Sequence, residues 1–196
     1  MKILKFTSII LIATLVFACG PKGGESSDSN TEVVDLESLN VDNLLAEIKK
    51  REDALKLDSV KTDRQRAEGL VEAYIVFQER FSDKEQSAEF LFKAGEIAMG
   101  LNLTAVSIKC LDKVYNDYKD YEKRPYALFL KAFVQENQAK NYEDAKANYE
   151  LFIQEYPGHE MADDAEYSIK NMGKTPEELI REFEIQDSIR QANGEA

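Results

Sequence analysis

The sequence predicts an all-α fold in which helical hairpins stack into a solenoid, and three observations support this. After residue 40, apolar residues return at three- and four-residue spacing, which is the period of an amphipathic helix. No run of alternating apolar and polar residues, the usual sign of a β-strand, appears. Segments also resemble one another at a nearly constant offset, and an internal period of about 20 to 50 residues is typical of solenoids.

The internal repeat is clearest in residues 141–157, NYEDAKANYELFIQEYP. The pair that closes this segment has counterparts in two earlier units: Phe152 and Tyr156, Val114 and Tyr118, Phe77 and Phe81. Successive copies of the pair lie 38 and 37 residues apart. A second set of similar segments, residues 88–93, 126–131 and 165–170, aligns at offsets of 38 and 39. Together they predict about three repeat units between residues 62 and 172.

The first 18 residues are predicted to be a signal peptide and are set aside from the fold. Lys2 and Lys5 precede an apolar run from Ile9 to Phe17, and Ala18-Cys19 follows. This pattern resembles a bacterial lipoprotein signal, which implies that Cys19 is lipidated and becomes the mature N-terminus. A transmembrane anchor is the alternative, but the apolar run is too short for a hydrocarbon core of about 30 Å.

Residues 19–40 are predicted to form a flexible tether behind the lipidated cysteine, and residues 41–196 the helical repeat domain. The tether is rich in Gly, Ser and acidic residues, which cannot bury enough apolar surface to become ordered. A linker of this composition would hold the domain close to the membrane surface.

The repeat domain begins with two apolar stripes at helical spacing. The first, between residue 42 and about 57, consists of Leu44, Leu45, Ile48 and Leu55. The second, on a helix starting near residue 62, consists of Ala67, Leu70, Ala73, Tyr74, Phe77 and Phe81. Helix pairs are then predicted at about 85–99 with 103–118 and at 125–139 with 142–156, followed by a helix at 161–172.

A last helix is predicted from Pro176 to about Ile189. Gly173 suits the left-handed position after the preceding helix, and Thr175 with Glu178 forms a capping box. Its stripe of Leu179, Ile180 and Phe183 is expected to cover the end of the array, since the ends of solenoids need such caps.

Helix-turn-helix units with Tyr142 followed by Ala145, and with Pro157 after the second helix, resemble the tetratricopeptide repeat. The resemblance implies a right-handed α-solenoid in which the small residue, Ala145 or Ser107 one unit earlier, lets paired helices approach closely. Ala147 should then lie nearer to solvent. The chain departs from the family in having no tryptophan, in units of 37–39 rather than 34 residues, and in Phe133 near the position where a small residue is expected.

The charge and the cysteines limit the partners and the chemistry. The net charge is −12, and removal of residues 1–18 would take away two lysines and make it −14. A strongly acidic surface argues against nucleic acid or an anionic membrane surface as the partner. Cys110 lies on a predicted helix, where a buried, unreactive thiol is expected.

The sequence contains no constellation that predicts catalysis, so the protein is predicted to be neither an enzyme nor a cofactor or metal protein. His159, the single histidine, is expected to be a solvated turn residue. Gly173-Lys174-Thr175 resembles the end of a phosphate-binding loop, but the first glycine position is Ser168 and a helix precedes it. Asp163-Asp164 in the first turn of a helix is explained by the helix dipole.

Two sets of candidate site residues remain. Tyr126, Phe129 and Phe133 fall on one helix that is apolar nearly all round, so they either belong to the core or offer a stripe to a partner. The partner stripe is the functional hypothesis. Ser59, in Asp58-Ser59-Val60 between two helices, resembles the short O-glycosylation motif of exported Bacteroidetes proteins.

These features together predict a non-enzymatic protein–protein interaction scaffold, lipid-anchored at the periplasmic side of the outer membrane in a Bacteroidetes-like envelope. The chain resembles β-barrel assembly lipoproteins of the BamD type and the tetratricopeptide partners of the Tol-Pal or cell-wall machinery. The resemblance implies a role in outer-membrane or cell-wall assembly with protein partners and without a small-molecule substrate. Glycan or ligand capture by a nutrient-uptake lipoprotein is the alternative, although the chain lacks tryptophan for sugar stacking.

Overall fold

The computed structural model describes residues 34–57 and 64–193. The predicted signal peptide, Cys19, most of the predicted tether and Ser59 lie outside these residues. The described part contains no β-strand. It consists of a short 3-10 helix at Leu36–Ser38 and eight α-helices: α1 Val41–Leu57, α2 Arg64–Arg80, α3 Gln86–Gly100, α4 Thr104–Asp117, α5 Arg124–Asn137, α6 Tyr142–Glu155, α7 Ala162–Asn171 and α8 Pro176–Asn193.

Each helix from α1 to α6 packs against the next helix along the chain. Short turns join the paired helices, so neighbours run antiparallel. The core between them contains Tyr74, Phe77, Val114 and Phe152, which the sequence placed in apolar stripes or repeat positions, and also Leu111 and Tyr149. The predicted fold class, an all-α solenoid of tetratricopeptide-like hairpins, is confirmed.

The compact unit that contains the eight helices begins at Asp35, before the predicted domain start at residue 41. Leu36 is buried, and its carbonyl oxygen accepts a 2.9 Å hydrogen bond from Nη1 of Arg80 on α2. Asp35 caps the 3-10 helix by accepting from the Glu37 N–H. Residues 35–38, placed in the tether by composition, therefore pack on the helical array because one apolar side chain among them is covered.

Paired helices approach most closely where small residues face each other. Ser107 on α4 is fully buried, and its hydroxyl donates a 2.9 Å hydrogen bond to the Gly95 carbonyl oxygen on α3. A Cβ atom at Gly95 would lie only 2.8 Å from two side-chain carbons of Leu111. In the next hairpin Ala145 is fully buried whereas Ala147 is exposed, as predicted.

The repeat register of the first helices differs by one residue from the sequence alignment. The exposed residues Glu89 and Glu96 on α3 recur on α5 as Tyr126 and Phe133, at an offset of 37 rather than 38. The second helices keep the offset of 38. The extra residue lies in the turn within the hairpin, which comprises residues 101–103 in one unit and 138–141 in the next. Phe133 is therefore not in the small-residue position, which Ala132 occupies, fully buried.

The left-handed glycine and the capping box that the sequence predicted before the last helix are both present. Gly173 has φ +76°, the left-handed region that suits a residue after a helix. The Thr175 hydroxyl accepts from the Glu178 N–H at 3.2 Å, and the Glu178 carboxylate accepts from the Thr175 N–H at 2.8 Å. This reciprocal pair is the capping box that the sequence predicted. Residues 173–175 thus serve to end one helix and begin the next.

The prediction that α8 covers the end of the array is wrong. None of its residues is buried, and it packs only sparsely against α7. Ile180 and Phe183 leave 58% and 54% of their surface exposed. The apolar residues of α8 are spread around the helix instead of forming one broad face, so the helix cannot bury them all on α7.

An arginine clamp fixes the start of α5 between the neighbouring helices. Arg124 donates from Nε to the Tyr115 carbonyl oxygen at 2.9 Å and lies 4.3 Å from the centre of the Tyr115 ring. It also donates to the Tyr156 hydroxyl and pairs with Glu155 at 3.3 Å. The Tyr115 hydroxyl donates to Glu155 at 2.7 Å, so residues of α4, α5 and α6 form one network.

The arginine clamp shifts the pKa of two of its members, Glu155 and Tyr115. The hydrogen bond from Tyr115 and the charge of Arg124 hold the pKa of Glu155 below its ordinary value, against the opposing effect of burial. Burial, with the hydrogen bond to Glu155, raises the pKa of Tyr115 to about 12. Cys110, which is buried as predicted, has a pKa raised by burial to about 11, so its thiol stays neutral near pH 7.

Gly95→Ala should destabilise the fold by about 1–3 kcal/mol, because the added methyl would overlap Leu111, a fully buried side chain. Gly100→Ala is the matched control, since nothing lies within 4 Å of its Cβ position. That control should be neutral or stabilising, as alanine is a better helix former than glycine. Thermal and urea unfolding of both variants would measure the difference. Equal midpoints would contradict the close approach at Gly95.

Glu155→Gln should lower the unfolding free energy at pH 7 by about 1 kcal/mol, a modest value for a partly exposed charged pair. The pKa of Glu155 is depressed in the folded state, so its contribution is present above the unfolded-state pKa and is lost as the pH falls through the folded-state pKa. Melting temperatures between pH 7 and pH 3 should therefore decline less steeply in the variant. Parallel profiles of wild type and variant would show that the pair adds no stability.

Candidate partner-binding face

Exposed and half-buried residues of α3 and α5 form two parallel stripes at the same helical positions. Each stripe follows the i, i+4, i+7 spacing of one helix face. We call this surface the α3–α5 face, and its residues are Glu89, Lys93 and Glu96 on α3 and Tyr126, Leu130 and Phe133 on α5. The stripe is charged on α3 and apolar on α5.

Contacts from the residues that flank α5 to Phe92 and Met99 of α3 hold the stripes side by side. Near the start of α5, the Tyr121 ring lies 6.1 Å from the Phe92 ring in an edge-on arrangement, and the Lys123 ammonium lies 5.3 Å from the centre of that ring. At the other end, Nε2 of Gln138 donates a 2.8 Å hydrogen bond to the Met99 carbonyl oxygen. The relative position of α3 and α5 is therefore set by contacts that do not use the exposed stripes.

Only two of the three predicted partner-binding residues lie on this face. Phe133 is 38% exposed and Tyr126 is half-buried, but Phe129 is only 6% exposed. The Phe129 ring packs edge-on against Tyr149 at 5.4 Å and Phe152 at 5.6 Å, so it belongs to the core between α5 and α6. Phe129 is thus corrected from partner contact to core residue.

Leu130 takes the place in the stripe that was assigned to Phe129. From the sequence alone, either residue could share a helix face with Tyr126. Phe129 lies three residues and Leu130 four residues after Tyr126, and both spacings fit a helix face. Alignment of α5 with α3 at the offset of 37 would have distinguished them, since it pairs Leu130 with Lys93, a charged residue on α3. Glu89, Lys93 and Glu96 were missed because charged residues on a helix usually mark only a solvated surface.

Tyr126 is held in place by the turn between α6 and α7. Its hydroxyl donates to Glu160, and its ring meets the His159 ring edge-on at 4.8 Å. His159 also packs against Phe152 at 5.3 Å, and its Nδ1 accepts from the Met161 N–H at 3.2 Å. The only histidine therefore lies in the turn, as the sequence predicted, but is half-buried between two aromatic rings instead of fully solvated. Its packing fixes the end of the apolar stripe.

The charged part of the face is acidic. Lys93 pairs with Glu89 at 2.7 Å and with Glu52 of α1 at 3.4 Å. Burial raises the pKa of Glu52, but hydrogen bonds from Tyr74 and Lys93 outweigh it, so the pKa lies below its ordinary value. Two carboxylates, Glu89 and Glu52, thus pair with Lys93, and Glu96 is a third acidic group in this region.

Glu96 differs from the other two carboxylates because no described residue donates a hydrogen bond to it or pairs with it. Its side chain is accessible to solvent, yet neighbouring atoms displace part of its hydration. This burial raises the pKa of Glu96, whereas the charges of Lys123 and Lys93 act in the opposite direction. A solvent-accessible carboxylate that lacks a partner can receive a cationic group from a bound protein.

The described residues include no group of three or more His, Cys, Asp or Glu side chains placed to hold a metal ion. Asp163 and Asp164 lie in the first turn of α7, where the sequence placed them. Across residues 34–57 and 64–193, no helix combines the length and apolar character that a membrane span requires.

Comparison with known proteins agrees with the helical hairpin geometry. The family described as tetratricopeptide repeat matches residues 126–159, which run from the Tyr126 stripe on α5 through α6 to His159. No curated protein matches the chain. Domains of this class mediate protein–protein interactions. The match over residues 126–159 and the stacked hairpins on either side of it support a chain that contains a tetratricopeptide repeat.

Proposed function

We propose that the protein is a non-enzymatic scaffold of the bacterial cell envelope that is anchored by a lipid on Cys19 and holds a segment of a partner protein on the α3–α5 face. The tetratricopeptide repeat supports the scaffold role. The anchor rests on the signal-like sequence that ends at Cys19. The proposed location is the periplasmic side of the outer membrane, where the scaffold assists outer-membrane or cell-wall assembly.

The apolar stripe of α5 is the observation that carries the proposal. Phe133 remains 38% exposed although the helix that bears it is otherwise well covered. Leu130 is half-buried next to it, and the Tyr126 hydroxyl and ring are held by Glu160 and His159. Rigid, partly exposed aromatic residues beside aliphatic ones provide the anchors that dominate binding energy in protein interfaces.

The charges indicate which kind of segment fits. Glu89 and Glu96 border the apolar stripe on the α3 side, and the whole chain carries a net charge of −12. Complementary charge mainly raises the association rate and selects among partners, while the apolar anchors supply affinity. The segment held on this face should therefore combine apolar side chains with Lys or Arg, and its binding should weaken at high salt.

Phe133→Glu should abolish capture of the partner while leaving the melting temperature within a few degrees of wild type, because Phe133 is already 38% exposed. Tyr142→Glu is the matched control, since Tyr142 is 41% exposed but lies on α6, outside the α3–α5 face. A photo-reactive residue at position 133 or 142 in cells, followed by mass spectrometry, would identify what each position contacts.

The expected result is one or a few envelope proteins cross-linked from position 133 and not from position 142. Capture that survives Phe133→Glu would move the binding surface elsewhere, and a large fall in melting temperature would place Phe133 in the core. A glycan array would test the alternative role, because oligosaccharide binding that Phe133→Glu removes would favour capture of glycans over scaffolding.

Cys19→Ala should release the protein from membranes into the soluble fraction after cell lysis, because the thiol that would carry the lipid is absent. Fractionation of wild type and variant, each with a high-salt wash, would measure this. The matched control is Cys110→Ala, which removes the buried second cysteine and should leave the protein in the membrane fraction. A Cys19→Ala protein that still sediments with membranes after the salt wash would contradict lipid anchoring.

A further inference from the structure

The C-terminal hairpin carries most of the exposed apolar surface in the described part of the chain. Among these residues, seven large apolar side chains are exposed, and five of them lie on α7 and α8: Tyr167, Ile180, Phe183, Ile185 and Ile189. In a stacked array each hairpin is covered by the next one, but α8 is the last described helix and buries no residue.

The apolar residues of α8 form two separate lines. Leu179, Phe183 and Gln186 share a small hollow with Tyr167 and Lys170 of α7, so this line faces the preceding helix. Ile185, Ile189 and Ala192 follow the i, i+4, i+7 spacing of another face, and Ser188 lies among them. At about 100° per residue, the second line lies roughly 120° around the helix from the first. It therefore turns away from α7.

The second line has the dimensions of a helix-binding surface. Ile185 and Ile189 are 53% and 54% exposed. One shallow hollow is lined by Arg181, Glu184, Ile185, Ser188, Ile189 and Ala192. These residues extend over about three helical turns, or roughly 16 Å at 1.5 Å per residue. An amphipathic helix of about three turns, with apolar residues at the same spacing, would cover them.

The charges around this line distinguish between possible occupants. The α8 helix carries five acidic residues and two basic ones, Arg181 and Arg190. Three of the acidic side chains are already engaged within the chain: Glu178 in the capping box, Glu182 with Lys174 at 2.6 Å, and Asp187 with Arg190 at 3.7 Å. Glu184 and Arg181 both line the hollow, and neither side chain has a partner among the described residues, so the acidic excess comes from the rest of the helix.

A second copy of the chain would bring the same excess of acidic residues against this face, and each copy carries a net charge of −12. Like charges placed opposite each other disfavour such a dimer. A helix of another protein whose apolar stripe is bordered by Lys or Arg would instead complement Glu184 and the acidic surroundings. Charge complementarity thus favours a basic partner over self-association.

We propose that the outward face of α8, formed by Ile185, Ser188, Ile189 and Ala192, docks a short amphipathic helix of a partner protein with a basic border. This surface lies on a different helix from the α3–α5 face. The scaffold then has two docking surfaces, one on α5 and one on α8, and can hold two segments at once.

The test uses three synthetic 14-residue helical peptides and the full chain in detergent. One peptide has leucines at i, i+4, i+7 and i+11 with flanking lysines, the second has glutamates in place of the lysines, and the third is a scrambled form of the first. Fluorescence anisotropy at about 150 mM salt should show that the lysine peptide binds at least tenfold more tightly than the other two. Equal binding of all three, or no binding, would overturn the proposal.

The double variant Ile185→Glu, Ile189→Glu should weaken binding of the lysine peptide at least tenfold. Ile180→Glu is the matched control, because Ile180 is 58% exposed but lies on the other side of α8, and it should bind as wild type does. Phe133→Glu should also bind normally, which separates this surface from the α3–α5 face. An unaffected double variant, or an equal loss in the Ile180→Glu control, would contradict the assignment of the face.

Two further measurements keep the proposal testable if the double variant is unstable. A photo-reactive residue at position 189 should cross-link the lysine peptide, whereas one at position 180 should not, and the opposite pattern would overturn the proposal. Sedimentation equilibrium of the wild-type chain should show a monomer. A dimer that dissociates in the double variant would make a second copy the occupant and refute the basic partner helix.

Discussion

The structure depends on the close approach of two helices at positions where side chains are small. In the α3–α4 hairpin, the Gly95 backbone accepts a hydrogen bond from Ser107 and lies against Leu111 with no room for a Cβ atom. In the α5–α6 hairpin, Ala132 and Ala145 occupy the equivalent positions and are fully buried. This contact sets the separation of the paired helices, and every large core side chain packs into the space that remains.

The same contact between paired helices determines which residues of α5 remain exposed and can bind a partner. Once Ala132 faces α6, helical geometry turns Phe133 outward and places Phe129 among the core aromatic residues. The arginine clamp at Arg124 and the His159 packing then fix the start of α5 and the end of its exposed stripe. The candidate binding face is thus a consequence of core packing, since its residues are those that the hairpin contact cannot cover.

The two ends of the described helical array differ in how much of their apolar surface is covered. The N-terminal end is covered in part by the segment around Leu36, which is tied to α2 through Arg80. At the other end, α8 spreads its apolar residues around the helix, so one line faces α7 without being buried and another, with Ile185 and Ile189, faces away from it. Hydration of the exposed apolar line on α8 is unfavourable, so a partner that covers this line would gain binding free energy from its burial.

The sequence by itself determined the helices, the hairpin order and the caps, because these follow from local spacing and from signals such as Gly173 and Thr175-Glu178. It also determined that Ala145 is buried and Ala147 exposed. Only the tertiary structure decided that Leu130, rather than Phe129, shares the exposed face with Tyr126. Both residues fit a helix face, and a turn longer by one residue shifts the register in a way that sequence spacing does not reveal. Burial depends on what a neighbouring helix covers, and that is settled only when the helices pack.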